Sequence, residues 1–173
     1  MIDLLRTRRS VRRYKKGPIE EGSIEILKEA LLRSFSGRGL NPWVLIFVDE
    51  PDLLTKLAQS KEDGSLFLKD AALAIVVCGD ETKTDIWVEN CSIASTIAHL
   101  TAHSLGLGSC WIGIRNRLHK GGTPAEDYVR ALLGIPGHIR VESIISIGLP
   151  GETKAPVPGE KLDYGKIRYN RFA

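Results

Sequence analysis

Leu73-Ala74-Ile75-Val76-Val77-Cys78 is an unbroken apolar run, and its reading decides the fold class. A strand with no polar face has to be covered on both sides, so this segment reads as the centre of a sheet. Val44-Leu45-Ile46-Phe47-Val48 reads as a second buried strand, and Val141 to Ile147 as a third. Ser109 to Ile114 is apolar again. Helical patterns lie between these runs. Residues 2–7 form a short opening helix, and Pro18 marks a turn. Glu20 to Ser34 places Ile24, Leu27, Ala30 and Leu31 at helical spacing. Asp52 to Ser60 and Pro124 to Leu133 read as helices. Asp85 to Leu105 is the longest, and its small and apolar positions Ile93, Ala94, Ile97, Ala98 and Ala102 predict burial on more than one side. Gly106-Leu107-Gly108 stops it. Helices separated by apolar strands predict an α/β or α+β sheet domain. The strand order is not readable from the pattern.

The 173 residues suit a single domain, with a Pro-, Gly- and charge-rich C-terminal tail over about 151–173. Hydrophobic residues make up 43% and charged residues 26%, the balance of a soluble globular chain. The net charge of +3 is small for a dedicated nucleic-acid binder. No apolar run is long enough to span a bilayer, and the N-terminus lacks a signal-peptide core. Cys78, Cys91 and Cys110 are an odd count without a CxxC pair, which predicts a reducing, cytoplasmic setting.

The chemistry concentrates in Arg8-Arg9-Ser10-Val11-Arg12-Arg13-Tyr14, four arginines in six residues with a serine among them. Guanidinium groups grip phosphate in a two-pronged way and stay charged at any working pH. If the segment is extended, Arg8, Ser10 and Arg12 face one way, a row suited to a phosphate, a sugar chain and an electron-rich ring. The same run also suits a solvated basic surface or a nucleic-acid arm. Other sites find little support. His99 and His103 share a helix face, but no HExxH frame surrounds them. There is no GxSxG, no P-loop, and Trp111 stands where a dinucleotide fingerprint needs its third glycine. Cys110 has no basic neighbour in sequence and reads as a buried structural thiol.

RRSVRRY at 8–14 is followed by SFSGRGLNPW at 34–43, GLGSCWIG at 106–113, IGLP at 147–150 and KIRYNRF at 166–172. This order and spacing resembles the nitroreductase family of flavin enzymes, in its short members, from Ile2 to Phe172. The resemblance implies an α+β, nitroreductase-like fold: a central, mostly antiparallel sheet flanked by helices, in an intertwined homodimer with FMN at the subunit interface. It also implies an oxidoreductase that takes hydride from NADH or NADPH and passes electrons to a small acceptor such as a nitroaromatic or quinone, with ping-pong kinetics. The alternative is a flavin-binding protein with little turnover, for storage or sensing.

By the same resemblance Arg8 holds the FMN phosphate, Arg9 and Ser10 flank the phosphate and ribityl chain, and Arg12 faces the pyrimidine edge, where a cation favours reduced flavin. Phe35, Ser36, Gly37 and Gly39 match a segment that reaches FMN from the partner subunit. Phe35 stands for a usual proline, Gly39 for an asparagine and Asn41 for a glutamine. Trp43 reads as core. Trp111, Ile112 and Gly113 lie beside the isoalloxazine ring, with an amide N–H near Gly113 approaching N5. Lys161 matches a phosphate-binding cation of the tail. The usual pyrimidine-binding asparagine and lysine fall at about Gly64 and Phe67, so that contact is missing or shifted. Only Gly79 to Thr84 stands where many relatives insert a helical lid, so the flavin face is open or is covered by Leu118 to Asp127.

Overall fold

The computed structural model of the chain describes residues 1–172. Its elements follow as α1 (Ile2–Thr7), β1 (Tyr14–Lys15), α2 (Glu21–Leu32), β2 (Trp43–Val48), α3 (Pro51–Leu57), β3 (Leu73–Asp80), α4 (Trp87–Ser104), β4 (Gly108–Gly113), α5 (Ala125–Leu133) and β5 (Ile139–Pro150). β3 is central, as its composition demands, with β2 on one side and β5 on the other. β5 also carries β1 at its end and β4 along Ser143 to Gly148. All four ladders are antiparallel, which settles the class as α+β.

The alternation of β3 builds a core on each face of the sheet. Ala74, Val76 and Cys78 meet Leu54 and Leu57 of α3, Val129 of α5 and Ile144 of β5. Ile75 and Val77 meet Leu27 and Leu31 of α2, Ala94, Ala98 and Ala102 of α4, and Ile145. Leu27 and Leu31 are fully buried, and burial of each contributes on the order of 1.5–3 kcal/mol. The alanine stripe lets α4 lie close to the sheet. α4 ends where Gly106 takes a left-handed φ of 74°, with Leu107 N–H donating to Ala102 C=O (2.9 Å) and Gly106 N–H to His103 C=O (3.0 Å).

Two expectations need correction. β2 is an edge strand, not a buried one: Val44 is 39% exposed and Leu45 to Phe47 are only half-buried, because no strand pairs on its outer side. α4 is buried on one face alone. Trp87, Cys91, Ala94, Ala98 and Ala102 form that face, whereas Ile93, Ile97 and Leu100 stay half-buried on the other flanks. Within one chain the sheet can cover only one side of a helix.

Gly79 is where α4 crosses β3. A Cβ there would lie 2.8 Å from Trp87 Cε3 and 3.0 Å from Cys91 Sγ. Gly79→Ala therefore overpacks this crossing, and the expected loss is about 1–3 kcal/mol in urea unfolding. An unchanged midpoint would mean that α4 shifts freely here.

Candidate functional site

The arginine segment is extended from Arg8 onward (φ −61°, ψ 129°). Val11 N–H donates to Ser109 C=O (2.9 Å), and Ser10 bridges Ser109, so the segment lies along the outer edge of β4. Val11 packs so tightly that a Cβ on Gly108 would come within 2.8 Å of its Cγ1. Tyr14 pins the other end: its hydroxyl donates to Val11 C=O (2.9 Å) and shares a bond with Ser146 Oγ (2.7 Å).

The expected alternation holds for three side chains. Arg12, Ser10 and Arg8 all act to lower the pKa of the Cys110 thiol. Arg8 also bears on His99. Arg12 lies over the Phe67 ring, 5.8 Å from its centroid, so the position that lacks the expected lysine carries a ring that supports a cation instead. Neither the Arg8 nor the Arg12 guanidinium has a hydrogen-bond or ion-pair partner among the described residues. Arg9 is not in this row. It leaves from the opposite side and donates to Ala155 C=O.

β4 is the edge against which this row stands. β5 covers one side, and among the described residues the other is bonded along its backbone by Ser10 and Val11. Trp111 is 46% exposed, while Ile112 and Gly113 are buried. The Trp111 ring folds across Gly113, where a Cβ would lie 2.6 Å from Cη2. Cys110 is buried, and burial pushes its thiol up, against the pull of Arg12, Ser10, Lys154 and Arg8. Folding thus gives Cys110 basic neighbours that the sequence order does not.

Sequence reasoning missed several residues here. Lys154 donates to Ser10 C=O (2.8 Å) and pairs with Glu152 (3.0 Å), whose carboxylate accepts the Arg12 N–H (2.6 Å). Burial and the Arg117 charge hold the Lys61 ammonium pKa down, against the pull of Asp63 and Cys110. His99 Nδ1 bonds Ser109 Oγ (2.7 Å), and His103 Nε2 bonds Thr7 Oγ1 (2.9 Å). No local motif marks these positions, because the sheet brings them together from distant parts of the chain.

The remaining expected residues lie elsewhere. Phe35 is 70% exposed. Ser36 Oγ is bonded to Asn41 Oδ1 (2.7 Å), and Gly37 N–H donates to Asn90 Oδ1 (2.9 Å) near the start of α4. Gly37 also packs against the tip of Ile86, which would have to move to admit a side chain. His99, the α4 neighbour of Arg8, lies nine residues further on, roughly 13 Å along the helix. Among the described hydrogen bonds, none joins this loop to Arg8, Ser10, Arg12 or β4. Lys161 sits exposed on a turn at Gly159–Lys161, and its ammonium has no partner among the described residues. The loop after β4 is tied down away from the arginines: His119 Nδ1 bonds Gln59 C=O (2.9 Å) and its ring stacks on Tyr128.

His99 links this site to pH. Burial and the Arg8 charge push its imidazole down to about 4. A folded value below the unfolded 6.5 contributes stability above pH 6.5 that is lost as pH falls toward 4, up to about 3 kcal/mol. Urea midpoints of the ligand-free protein should fall between pH 7 and pH 4.5, and less so in His99→Gln. Equal acid loss in both proteins would remove His99 from this account.

Comparison with known proteins agrees with this geometry. The model of the nitroreductase family matches residues 60–149, from the turn before β3 through β4 and most of β5. A relative from Methanothermobacter thermautotrophicus, provisionally named an NADH dehydrogenase/NAD(P)H nitroreductase, is 36% identical over 99% of this chain and 87% of its own length. An FMN-dependent nitroreductase from Clostridium difficile is 42% identical, covers 99% of this chain and 100% of its own, and superposes with a TM-score of 0.97. An NADH dehydrogenase/NAD(P)H nitroreductase structure from Parabacteroides distasonis, also provisionally named, is 31% identical over 99% of this chain and 98% of its own, with a TM-score of 0.90. With an arginine row laid on an edge strand and matching relatives along nearly its whole length, this chain belongs to the nitroreductase family.

Proposed function

We propose that the protein is an FMN enzyme that takes hydride from NADH or NADPH and reduces a small acceptor such as a nitroaromatic or a quinone. The observation that carries this reading is the row Arg8, Ser10 and Arg12, two unpartnered cations and a hydroxyl standing along the open edge of β4. The donor set fits FMN: a guanidinium for the phosphate, a hydroxyl for the ribityl chain, a second guanidinium for the pyrimidine edge, and backbone at Trp111, Ile112 and Gly113 for the ring. Bound there, FMN would supply two-electron chemistry at its N5, between a nicotinamide hydride donor and the small acceptor. Arg8 anchors the phosphate. Arg12, braced on Phe67, places positive charge where reduced flavin becomes anionic. Lys154 holds the Ser10 carbonyl and so fixes the row. Arg9 and Lys161 take phosphate roles only if the tail or a second subunit brings them round.

Arg8→Ala should weaken FMN binding by roughly tenfold to a hundredfold, the loss of a charge-assisted bond of about 1.5–3 kcal/mol. Arg13→Ala should leave it nearly unchanged, since Arg13 is exposed and outside the row. Fluorescence titration measures both, and chromatography of the heat-released cofactor must show FMN. Equal weakening would reduce the arm to a diffuse basic patch. A storage or sensing role draws support from Ser36, whose hydroxyl is engaged with Asn41. Bleaching of the bound flavin by NADH or NADPH decides against it.

We further propose a homodimer in which the loop at 35–39 completes the partner's site. Three features support this reading. That loop does not meet the arginine row within one chain. The far flanks of α4 keep Ile93, Ile97 and Leu100 half-buried. The tail exposes Val157, Leu162, Tyr164, Ile167, Tyr169 and Phe172, more apolar surface than a monomer ordinarily leaves to water. Light scattering should give twice the chain mass. A stable monomer that binds FMN tightly would contradict the shared site.

A further inference from the structure

Beyond Gly113 the chain turns through a loop that carries Arg115, Arg117 and Lys120. Its start is fastened to β5. Val77 pairs with Ser143 and Cys78 with Val141, so Glu142 is passed over in a bulge. The bulged carbonyl accepts the N–H groups of Ile114 and Arg115, at 3.0 and 3.1 Å. The loop then closes on itself. Arg117 N–H donates to Ile114 C=O (3.1 Å), Ala125 N–H to Arg117 C=O (2.9 Å) and His119 N–H to Thr123 C=O (2.8 Å). Asn116 takes the left-handed turn, with φ 55°. The loop is also joined to the segment after α3. Glu62 N–H donates to Leu118 C=O (3.1 Å), and His119 Nδ1 bonds Gln59 C=O (2.9 Å).

These bonds set two cations side by side. Lys61 precedes Glu62 and Arg117 precedes Leu118, the two residues that share that backbone bond. Lys61 is half-buried, and its Nζ lies over Gly64, where a Cβ would come within 3.9 Å of it. Arg117 is exposed, and its guanidinium donates to the Asn116 carbonyl (3.1 Å). Neither cation has a carboxylate partner among the described residues, although Glu62 and Asp63 follow Lys61 in the chain. Arg140 of β5 shows the contrast, since Glu126 and Glu81 take its guanidinium at 2.6 and 3.0 Å. That Arg117 opposes the charge on Lys61 agrees with neighbouring cations that share no carboxylate. A guanidinium grips a phosphate with two prongs, and an ammonium adds a point charge.

The direction of β4 says which phosphate. Ser10 and Ser109 form a parallel bridge, so the arginine segment and β4 run the same way. Arg8 stands toward the start of β4, Trp111 to Gly113 at its end, and Lys61 and Arg117 beyond that. On the FMN reading, on which this inference rests, a phosphate takes the Arg8 end and the ring lies along Trp111 to Gly113. A nicotinamide laid on that ring keeps its own phosphates away from the one at Arg8, because like charges repel, and so extends past Gly113. NADPH differs from NADH by one phosphate on the adenosine 2′-hydroxyl, which carries about −1.5 to −2 charge at neutral pH. We propose that Lys61 and Arg117 receive the 2′-phosphate of NADPH and make the protein select NADPH over NADH.

The test has a binding arm and a kinetic arm. In isothermal titration, 2′,5′-ADP should bind the protein at least about tenfold tighter than 5′-AMP, the loss expected for a missing charge-assisted bond. Arg117→Ala and Lys61→Ala should each remove most of that difference. In the FMN-loaded protein, kcat/KM should favour NADPH over NADH by at least about tenfold, and Arg117→Ala should cut that ratio by about tenfold through the KM for NADPH. Arg117→Lys, which keeps the charge, should retain part of the preference. Should Lys61→Ala fail to fold, the exposed Arg117 decides alone. A wild type without preference for NADPH, or equal losses with both donors in Arg117→Ala, overturns the proposal and leaves the FMN reading standing. If the wild type takes up no FMN, that reading falls, and the titration still decides the site: 2′,5′-ADP binding that exceeds 5′-AMP binding and is lost in Arg117→Ala supports it, and equal binding overturns it.

Discussion

One strand, β5, is paired with three others at once, and the arrangement of the site depends on it. Along its length β5 binds β3 on one side and β4 on the other, and it catches β1 at its end. A strand engaged on both edges has no freedom in register, because a slip of one residue would turn its apolar side chains to the wrong face. That fixes β4 as the strand whose outer side receives the Ser10–Val11 backbone. It also fixes Tyr14, whose ring lies so close to Gly148 that a Cβ there would come within 2.9 Å. Tyr14 in turn bonds Ser146 and Val11, and so sets the height at which the arginines pass β4. The location of the charge row is a consequence of β5, though none of its residues belongs to β5.

Parts of this were legible in the sequence because they follow local rules. The unbroken run at 73–78 has no polar face, so it has to be central. Gly106 stops α4 because only a residue tolerant of positive φ closes that turn. Arg8, Ser10 and Arg12 share a face because an extended chain alternates. What stayed hidden depends on the whole sheet. Val44 to Val48 is as apolar as an inner strand, and only the strand order makes it an edge. The bulge at Glu142 leaves no mark in local composition. Lys154, His99 and Lys61 approach the site from segments that no spacing rule connects.

The departures from the family's second motif also acquire a physical reading. Arg38, Gly39 and Asn41 all lie in the left-handed region, with φ of 56°, 67° and 44°. Glycine and asparagine tolerate that region better than other residues. Glycine in place of asparagine at 39, and asparagine in place of glutamine at 41, therefore suit the backbone that this loop adopts. The loop keeps its shape through Ser36 to Asn41 and Gly37 to Asn90, bonds that a side chain reaching for a distant ligand would not make. The loop is thus preserved in form where it differs in letters.

The cations around β4 fall into two kinds, and the division has an energetic meaning. Arg9 and Lys154 are engaged: one with the Ala155 carbonyl, the other with Ser10 and Glu152. These contacts fasten the tail to the arginine segment and build structure. Arg8 and Arg12 stand without a counter-charge among the described residues, close enough to Cys110 and His99 to shift their protonation. The attachment through Val11, Tyr14 and Lys154 holds the segment in place along β4, so its two free guanidinium groups keep fixed positions. A surface patch would scatter its arginines into water; this one is braced from behind and left open in front, the arrangement that the proposed FMN role calls for.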